Sequence, residues 1–232
     1  MTMFDAVNRL FIRLQRHFQG IPAGPAHFYE KVATKYLEQS YKSVAEETRQ
    51  VIGGNSKILE IGCGTGRLLI EILKRTGVNA VVGLDISKAM IGISKKNLVK
   101  SDMYGLASLI IADAHKIPLR NECIDLIVST GTLHHIRKPR VLFEECARIL
   151  KEKGEAWIYE LSHDVPKSEL AKSVEKFKRW GFLLRTSAIL HGIPRKAYEA
   201  GYIKNALKEA RLNYRVEYDG VVTKLVIIKV KI

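Results

Sequence analysis

The sequence predicts an α/β fold in which a mostly parallel sheet carries helices on both faces. Apolar runs alternate with helical patterns through the middle of the chain, as they do when parallel strands are joined by right-handed crossover helices. These runs lie at 57–62, 79–85, 107–112, 124–129 and 154–160. Two more strands are expected at the end of the chain, turning around Asp219 and Gly220, because Asp-Gly between apolar runs is typical of a hairpin. The sequence therefore predicts seven strands.

Two segments do not belong to the predicted sheet. Residues 1–52 carry two helical patterns, the second from about His27 to Ile52, and form a predicted N-terminal helical cap on the main domain at 53–232. Residues 162–200, approximately, form an insertion between the fifth strand and a last helix at 201–211. We expect both segments over the carboxyl ends of the strands, where open α/β sheets bind ligands, and we expect them to determine substrate choice.

The loop after the first strand indicates a cofactor site. Lys57 to Arg67 is K-I-L-E-I-G-C-G-T-G-R, and glycines without a Cβ let the chain turn sharply and let a ligand lie against the backbone. Asp85 ends the next strand, about where a Rossmann-type fold delivers a carboxylate to a ribose. Arg67 stands where a dinucleotide motif requires its third glycine, which argues against a pyrophosphate site.

Four motifs in register resemble those of class I S-adenosylmethionine-dependent methyltransferases, in particular the small-molecule type related to ubiquinone and menaquinone biosynthesis. They are E-I-G-C-G-T-G at 60–66, G-L-D-I-S at 83–87, I-A-D-A at 111–114 and D-L-I-V-S-T-G-T-L-H-H-I at 125–136, with R-I-L-K-E-K-G-E at 148–155 as a fifth. The resemblance implies a Rossmann-like, seven-stranded sheet with a reversed final strand. It also implies S-adenosyl-L-methionine as cofactor and S-adenosyl-L-homocysteine as product.

The resemblance assigns cofactor-binding roles to residues of these motifs. Glu60 and the loop backbone would hold the amino-acid end of the cofactor, Asp85 the ribose hydroxyls, and Asp113 the adenine amino group. The full predicted set is Glu60, Gly62, Cys63, Gly64, Gly66, Asp85, Ile86, Asp113, Ala114 and Ser129, with Tyr29 and Tyr36 from the second helix. Other interpretations remain open, since Glu60 could brace the loop, Asp113 could be solvated, and aromatic residues at helical spacing usually belong to a core.

His134 and His135 follow the fourth strand and are the candidate catalytic residues. Histidine titrates near neutral pH and could accept a proton from a phenol, an enol or an amine. Alternatively, one packs as a neutral core histidine and the other shapes the pocket. The preceding S-T-G-T lacks the Asn/Asp-Pro-Pro-Tyr/Phe signature of the family's amino-methylating nucleic-acid enzymes, so methylation of a base amine is less expected.

The composition limits the possible partners. A net charge of +14 is compatible with nucleic-acid binding, but the basic residues are dispersed, so a small-molecule acceptor is favoured. Residues 1–18 form an apolar stripe flanked by arginines that could contact a membrane surface, cap the active site or meet a second copy, leaving monomer and homodimer open. The insertion, with Trp180 and Phe182 beside basic residues, could be a lid or an ordinary amphipathic helix.

Three cysteines without metal-ligand spacing predict free thiols and no metal site. Together with a start that lacks the uninterrupted apolar run of a secretory signal, they favour the cytoplasm. Three functions remain open. We expect a methyltransferase acting on a small-molecule or lipid-like acceptor, and the alternatives are a tRNA or rRNA methyltransferase and a non-catalytic cofactor-binding protein.

Overall fold

A seven-stranded sheet forms the centre of the computed structural model, which describes residues 23–178 and 180–229 and, before them, only positions 3, 6, 7, 9, 10 and 13. Of residues 23–36 it describes the backbone alone. The strands are β1 (Ile58–Ile61), β2 (Val81–Asp85), β3 (Ala107–Ile111), β4 (Ile124–Thr130), β5 (Leu150–Leu161), β6 (Asn213–Asp219) and β7 (Val222–Ile228). Their order is β3-β2-β1-β4-β5-β7-β6, and β7 runs antiparallel to both of its neighbours. The predicted Rossmann-like sheet with a reversed final strand is confirmed.

The described helices cover both faces of this sheet. They are α1 (Ala23–Val51), α2 (Arg67–Thr76), α3 (Lys88–Lys100), α4 (Pro139–Ile149), α5 (Lys167–Phe177), α6 (Gly181–His191), α7 (Arg195–Glu199) and α8 (Tyr202–Glu209). Apolar side chains of α1, α2 and α3 pack on one face, around Leu69 and Val128. Those of α4, α7 and α8 pack on the other, around Phe143 and Ile127. The sheet is therefore the middle of three layers.

Burial along the strands follows their place in the sheet. All four residues of β1 are buried, as expected for a central parallel strand covered on both faces. In the edge strand β6, exposed and half-buried residues alternate as far as Glu217. This is why the central strands are continuous apolar runs in the sequence and the last ones are not.

The long helix α1 begins earlier than predicted and ends close to its predicted last residue. It begins at Ala23, four residues before the expected start at His27, because Pro25 in the first turn needs no backbone N–H partner. At its other end the helix stops at Val51, and Val44 and Ala45 are buried against one face of the sheet. The position of the cap over the carboxyl edge stays a prediction. Most of the predicted first helix lies outside the described residues, and the domain boundary at residue 52 stays a prediction.

The insertion joins the sheet where β5 ends. The Ile193 N–H donates to the Leu161 carbonyl at 2.8 Å, and the Ser162 hydroxyl donates to the Ile193 carbonyl at 2.6 Å. Helix α5 packs on the turn between β6 and β7, since the Val221 N–H donates to the Ser173 hydroxyl at 2.8 Å. Because β7 is reversed, this turn lies at the carboxyl edge of β5, so the insertion lies at that edge as expected.

The three cysteines are unpaired, with Cys63 and Cys146 buried and Cys123 half-buried. Among the residues described, no group of histidine, cysteine and carboxylate side chains is arranged to hold a metal ion. Within that same part of the chain, no helix has the length and apolar character needed to span a bilayer.

We predict that Gly192→Ala destabilises the protein by about 1–3 kcal/mol, the usual cost of overpacking. A Cβ at Gly192 would overlap the Leu161 and Ala188 carbonyl oxygens, where the insertion meets β5. Gly53→Ala is the matched control, because no atom lies within 4 Å of its Cβ position. Urea unfolding followed by circular dichroism measures both, and equal midpoints for the two variants would contradict the packing described here.

Candidate functional site

The carboxyl ends of four parallel strands bring the predicted site residues to one edge of the sheet. Glu60 pairs with Gly83 of β2 on one side and Val128 of β4 on the other. Asp85 is the last residue of β2, and Glu160 is the penultimate residue of β5. Three acids and the residues that follow β4 therefore border the same region.

The glycine loop turns closely against the segment that follows β4. Gly62 has a φ of +73°, and its N–H donates to the Leu84 carbonyl at 2.7 Å. A Cβ at Gly62 would overlap the Thr132 side chain, so only glycine allows these two segments to meet. Cys63 is buried beside them, and burial, with the charges of Glu60 and Asp85, raises the pKa of its thiol well above the ordinary value. The Cys63 thiol therefore stays protonated, and its side chain fills the space beside the loop.

Asp85 joins the glycine loop to the start of α3. Its Oδ2 accepts a hydrogen bond from the Gly64 N–H at 2.9 Å, and its Oδ1 accepts one from the Ser87 N–H at 2.8 Å. Burial raises the pKa of Asp85 although these hydrogen bonds lower it. A carboxylate has further acceptor positions, which suit the two hydroxyls of a ribose. Ser87 is the N-cap of α3, and Ile86 is 37% exposed beside it.

Glu60 is a buried acid with an incomplete set of partners. Glu60 is only 2% exposed, and its Oε2 has no hydrogen-bond partner among the described residues. Burial raises the pKa of Glu60 well above its ordinary value, the Asp85 charge adds to this, and a hydrogen bond from the Leu69 backbone opposes it. An unpartnered buried carboxylate is costly, and a cationic group relieves the cost. The site thus fits the ammonium end of S-adenosylmethionine.

Asp113 is oriented by a residue that the sequence analysis did not select. Its Oδ1 accepts hydrogen bonds from the His115 backbone N–H at 2.9 Å and from His115 Nδ1 at 2.5 Å. His115 Nε2 accepts from the Lys138 N–H, so Nδ1 carries the ring proton. Burial raises the pKa of Asp113, but the His115 hydrogen bonds outweigh it and lower the pKa overall. Asp113 is thereby held ionised, next to the buried Ala114.

A buried, hydrogen-bonded histidine and carboxylate lie where β4 and β5 end. His134 Nδ1 is 2.8 Å from Glu160 Oε2, and Glu160 Oε1 accepts from the Leu133 N–H at 2.5 Å. The two side chains are 2% and 0% exposed, and His134 Nε2 has no hydrogen-bond partner among the described residues. Because the Glu160 carboxylate holds a proton on Nδ1, Nε2 is the ring nitrogen that can accept one. Ser129 is also buried, and its hydroxyl donates to the Ile61 carbonyl at 2.8 Å.

Two more histidines lie beside His134. The His135 ring centroid is 4.1 Å away, and the ring of His191, the last residue of α6, is 6.0 Å away in an edge contact. Burial, together with the positive charge that His134 and His191 can carry, lowers the pKa of His135 to about 3. His135 is therefore neutral at physiological pH. The insertion contributes a titratable group to the site through His191.

Tyr29 and Tyr36 lie on α1, but their side chains are outside the described residues, so their predicted roles stay predictions. Thr132, Glu160, His115 and His191 were missed from the sequence. Glu160 had a usable signal, since it ends the apolar run W-I-Y-E as Glu60 ends K-I-L-E. His191 had none, because only the fold brings residue 191 beside residue 134.

Comparison with known proteins agrees with this geometry. Residues 59–158 match the family model described as "Methyltransferase domain". The ubiquinone/menaquinone biosynthesis C-methyltransferase of Geobacter sulfurreducens is 27% identical over 138 residues, which is 59% of this chain and 52% of that protein. The malonyl-[acyl-carrier protein] O-methyltransferase of the same organism is 30% identical over 60% of this chain and 46% of its own length. The chain thus spans about half the length of these curated relatives.

A solved structure extends the likeness to most of the chain. The crystal structure of a proposed S-adenosyl-L-methionine-dependent methyltransferase from Methanococcus maripaludis superposes with a TM-score of 0.72 over 89% of this chain and 93% of that one. At 24% identity this likeness concerns the fold. With the glycine loop, the acids near the ends of β1 and β2 and the reversed β7 all present, residues 59–158 match a methyltransferase domain, and the fold around them is similar to that of S-adenosylmethionine-dependent methyltransferases.

Proposed function

We propose that the protein transfers a methyl group from S-adenosylmethionine to a small-molecule or lipid-like acceptor. The observation that carries the proposal is the buried, unpartnered Glu60 carboxylate beside the Asp85 carboxylate, because two acids at one strand edge suit a cofactor with a cationic end and a ribose. The names of the two relatives refer to a quinone pathway and a carrier-bound malonyl group, which supports a small or carrier-borne acceptor over RNA. The cytoplasmic location and the oligomeric state stay predictions.

The cofactor supplies an electrophilic methyl group, so the protein must bind both reactants, align them and exclude water. Glu60 would hold the ammonium group, Asp85 the ribose, and Asp113 the adenine edge. The close contact between Gly62 and Thr132 fixes the glycine loop against the segment after β4. The cofactor and the histidines would thus lie on either side of the contact between Gly62 and Thr132.

His134 is the candidate general base for a reaction in which the atom to be methylated carries a proton. Its Nε2 would take the proton from that atom as the new bond to the methyl group forms, and the resulting imidazolium would remain paired with Glu160. Because Nε2 is buried and His191 packs against the ring, the acceptor would reach it by displacing the insertion. Residues 162–200 would then act as a lid that closes over the bound acceptor.

The proposal is tested with cofactor labelled in its methyl group. The full chain is incubated with a small-molecule and lipid extract and, separately, with total RNA. We expect label in the extract, and none with Asp85→Ala, since that substitution removes both hydrogen bonds that hold the loop and α3. Calorimetry measures cofactor binding by both proteins.

Each other outcome contradicts part of the proposal. Label confined to RNA would favour a tRNA or rRNA methyltransferase. Cofactor binding without transfer to either pool would favour a non-catalytic binding protein. A folded wild type that does not bind the cofactor would overturn all three functions.

We predict that His134→Asn and Glu160→Gln each lower kcat by about 100-fold, the lower end of a typical general-base contribution. Neither side chain is assigned to the cofactor, so the affinity for S-adenosylmethionine should stay within about threefold of wild type. Glu160→Gln keeps the acceptor for the Leu133 N–H and removes only the charge that pairs with His134.

His135→Asn is the matched control for these variants. Burial lowers the pKa of His135 to about 3, and a group with so low a pKa is a poor proton acceptor at neutral pH, so kcat should stay within about threefold of wild type. Turnover by His134→Asn at the wild-type rate would exclude proton transfer to His134.

We predict that Glu60→Gln stabilises the cofactor-free protein at neutral pH while weakening cofactor binding about 10- to 100-fold, the usual worth of a charged hydrogen bond. Burial raises the pKa of Glu60 above 4.5 in the folded state only. The folded state therefore keeps a proton that the unfolded chain releases, and the free energy of unfolding falls as pH rises above 4.5. Glutamine has no proton to lose, so unfolding measured across pH should show a shallower decline. A variant less stable than wild type at neutral pH would contradict this.

A further inference from the structure

The N-terminal end of α6 presents large apolar side chains to solvent. Trp180, which is the N-cap of this helix, is 80% exposed, and Phe182 and Leu183 are 76% and 47% exposed. Isolated apolar residues are common on protein surfaces, but three of this size within four positions form a patch that calls for an explanation. We call Trp180, Phe182 and Leu183 the apolar tip.

Positive charge surrounds the apolar tip. Residues 167–191 contain six lysines and arginines and two glutamates. Lys172 pairs with Glu169 and Lys176 pairs with Asp219, yet positive charge remains in excess over the acids in contact with the segment. Lys178 is exposed two positions before Trp180. Aromatic residues beside lysines and arginines suit the boundary of an anionic bilayer, where rings enter the acyl region and cations meet lipid headgroups.

The tip also has a defined position relative to the candidate site. Helix α5 packs on the β6–β7 turn, which places the insertion at the carboxyl edge of the sheet. Helix α6 then runs about 16 Å from the tip to His191, at 1.5 Å per residue, and His191 contacts the His134 ring. Ala188, one turn before the end of α6, is fully buried and anchors the helix. Helix α6 thus connects the exposed apolar tip to the neighbouring rings of His134, His135 and His191.

We propose that the apolar tip docks the protein on anionic lipid surfaces. Trp180, Phe182 and Leu183 enter the headgroup boundary, and the cations of the insertion meet the lipid phosphates. Docking turns the carboxyl edge of the sheet toward the bilayer. The proposal concerns the surface alone and holds whether or not methyl transfer is found.

Tryptophan fluorescence tests this proposal without an added label. It has two tryptophans, of which Trp157 is 3% exposed in the core and Trp180 is in the tip. Vesicles of phosphatidylcholine with phosphatidylglycerol should shift the tryptophan emission to the blue and sediment the protein, and vesicles of phosphatidylcholine alone should do so far less. In Trp180→Phe the emission shift should disappear while sedimentation persists, because phenylalanine keeps the tip apolar.

The double variant Phe182→Ser with Leu183→Ser should lower the vesicle partition coefficient by about tenfold or more. The matched control is Val99→Ser with Leu106→Ser, since these residues are 57% and 42% exposed at the opposite edge of the sheet. Added salt should weaken binding, because headgroup attraction is screened.

Three results would overturn the proposal. The first is no sedimentation of the wild type with anionic vesicles. The second is equal partitioning of the tip variant and the wild type. The third is protection of Trp180 from acrylamide quenching without vesicles, because another part of the chain or a second copy would then cover the tip.

Discussion

The carboxylate of Asp85 is the constraint on which the arrangement of the site depends. It accepts one hydrogen bond from the glycine loop and one from the first turn of α3, and it thereby fixes two backbone segments that follow different strands. Burial raises the pKa of Glu60, and the negative charge of Asp85 close by raises it further. Loop geometry and cofactor electrostatics therefore depend on one side chain.

The buried acids of this site lower the stability of the cofactor-free protein. Glu60 and the Glu160–His134 pair are buried polar groups at the same edge, and Glu60 Oε2 and His134 Nε2 have no partners among the described residues. Buried groups of this kind lower stability unless a ligand completes their hydrogen bonds. Their burial is therefore better explained by ligand binding than by folding.

Local sequence signals predicted the fold and brought the candidate cofactor residues to one edge of the sheet. Glu60 and Asp85 end apolar runs, glycines follow at fixed spacing, and Ser87 has the position of a helix N-cap, so each is determined by a few neighbouring residues. The rest of the site depends on contacts distant in sequence. The Glu160–His134 bond joins residues 26 positions apart, and His191 reaches His134 only because α6 folds back onto β5.

The two ends of the insertion meet at a single point of the sheet. The Ile193 N–H donates to the Leu161 carbonyl, so the 31 residues between them, which are most of the insertion, form a loop that leaves the sheet and returns to it at one place. Closing a loop of a different length costs little extra entropy, because that cost grows only logarithmically with length. A change in the length of this segment is therefore tolerated while the sheet and the glycine loop stay unchanged. Evolutionary diversification of such a protein would be concentrated between Leu161 and Ile193.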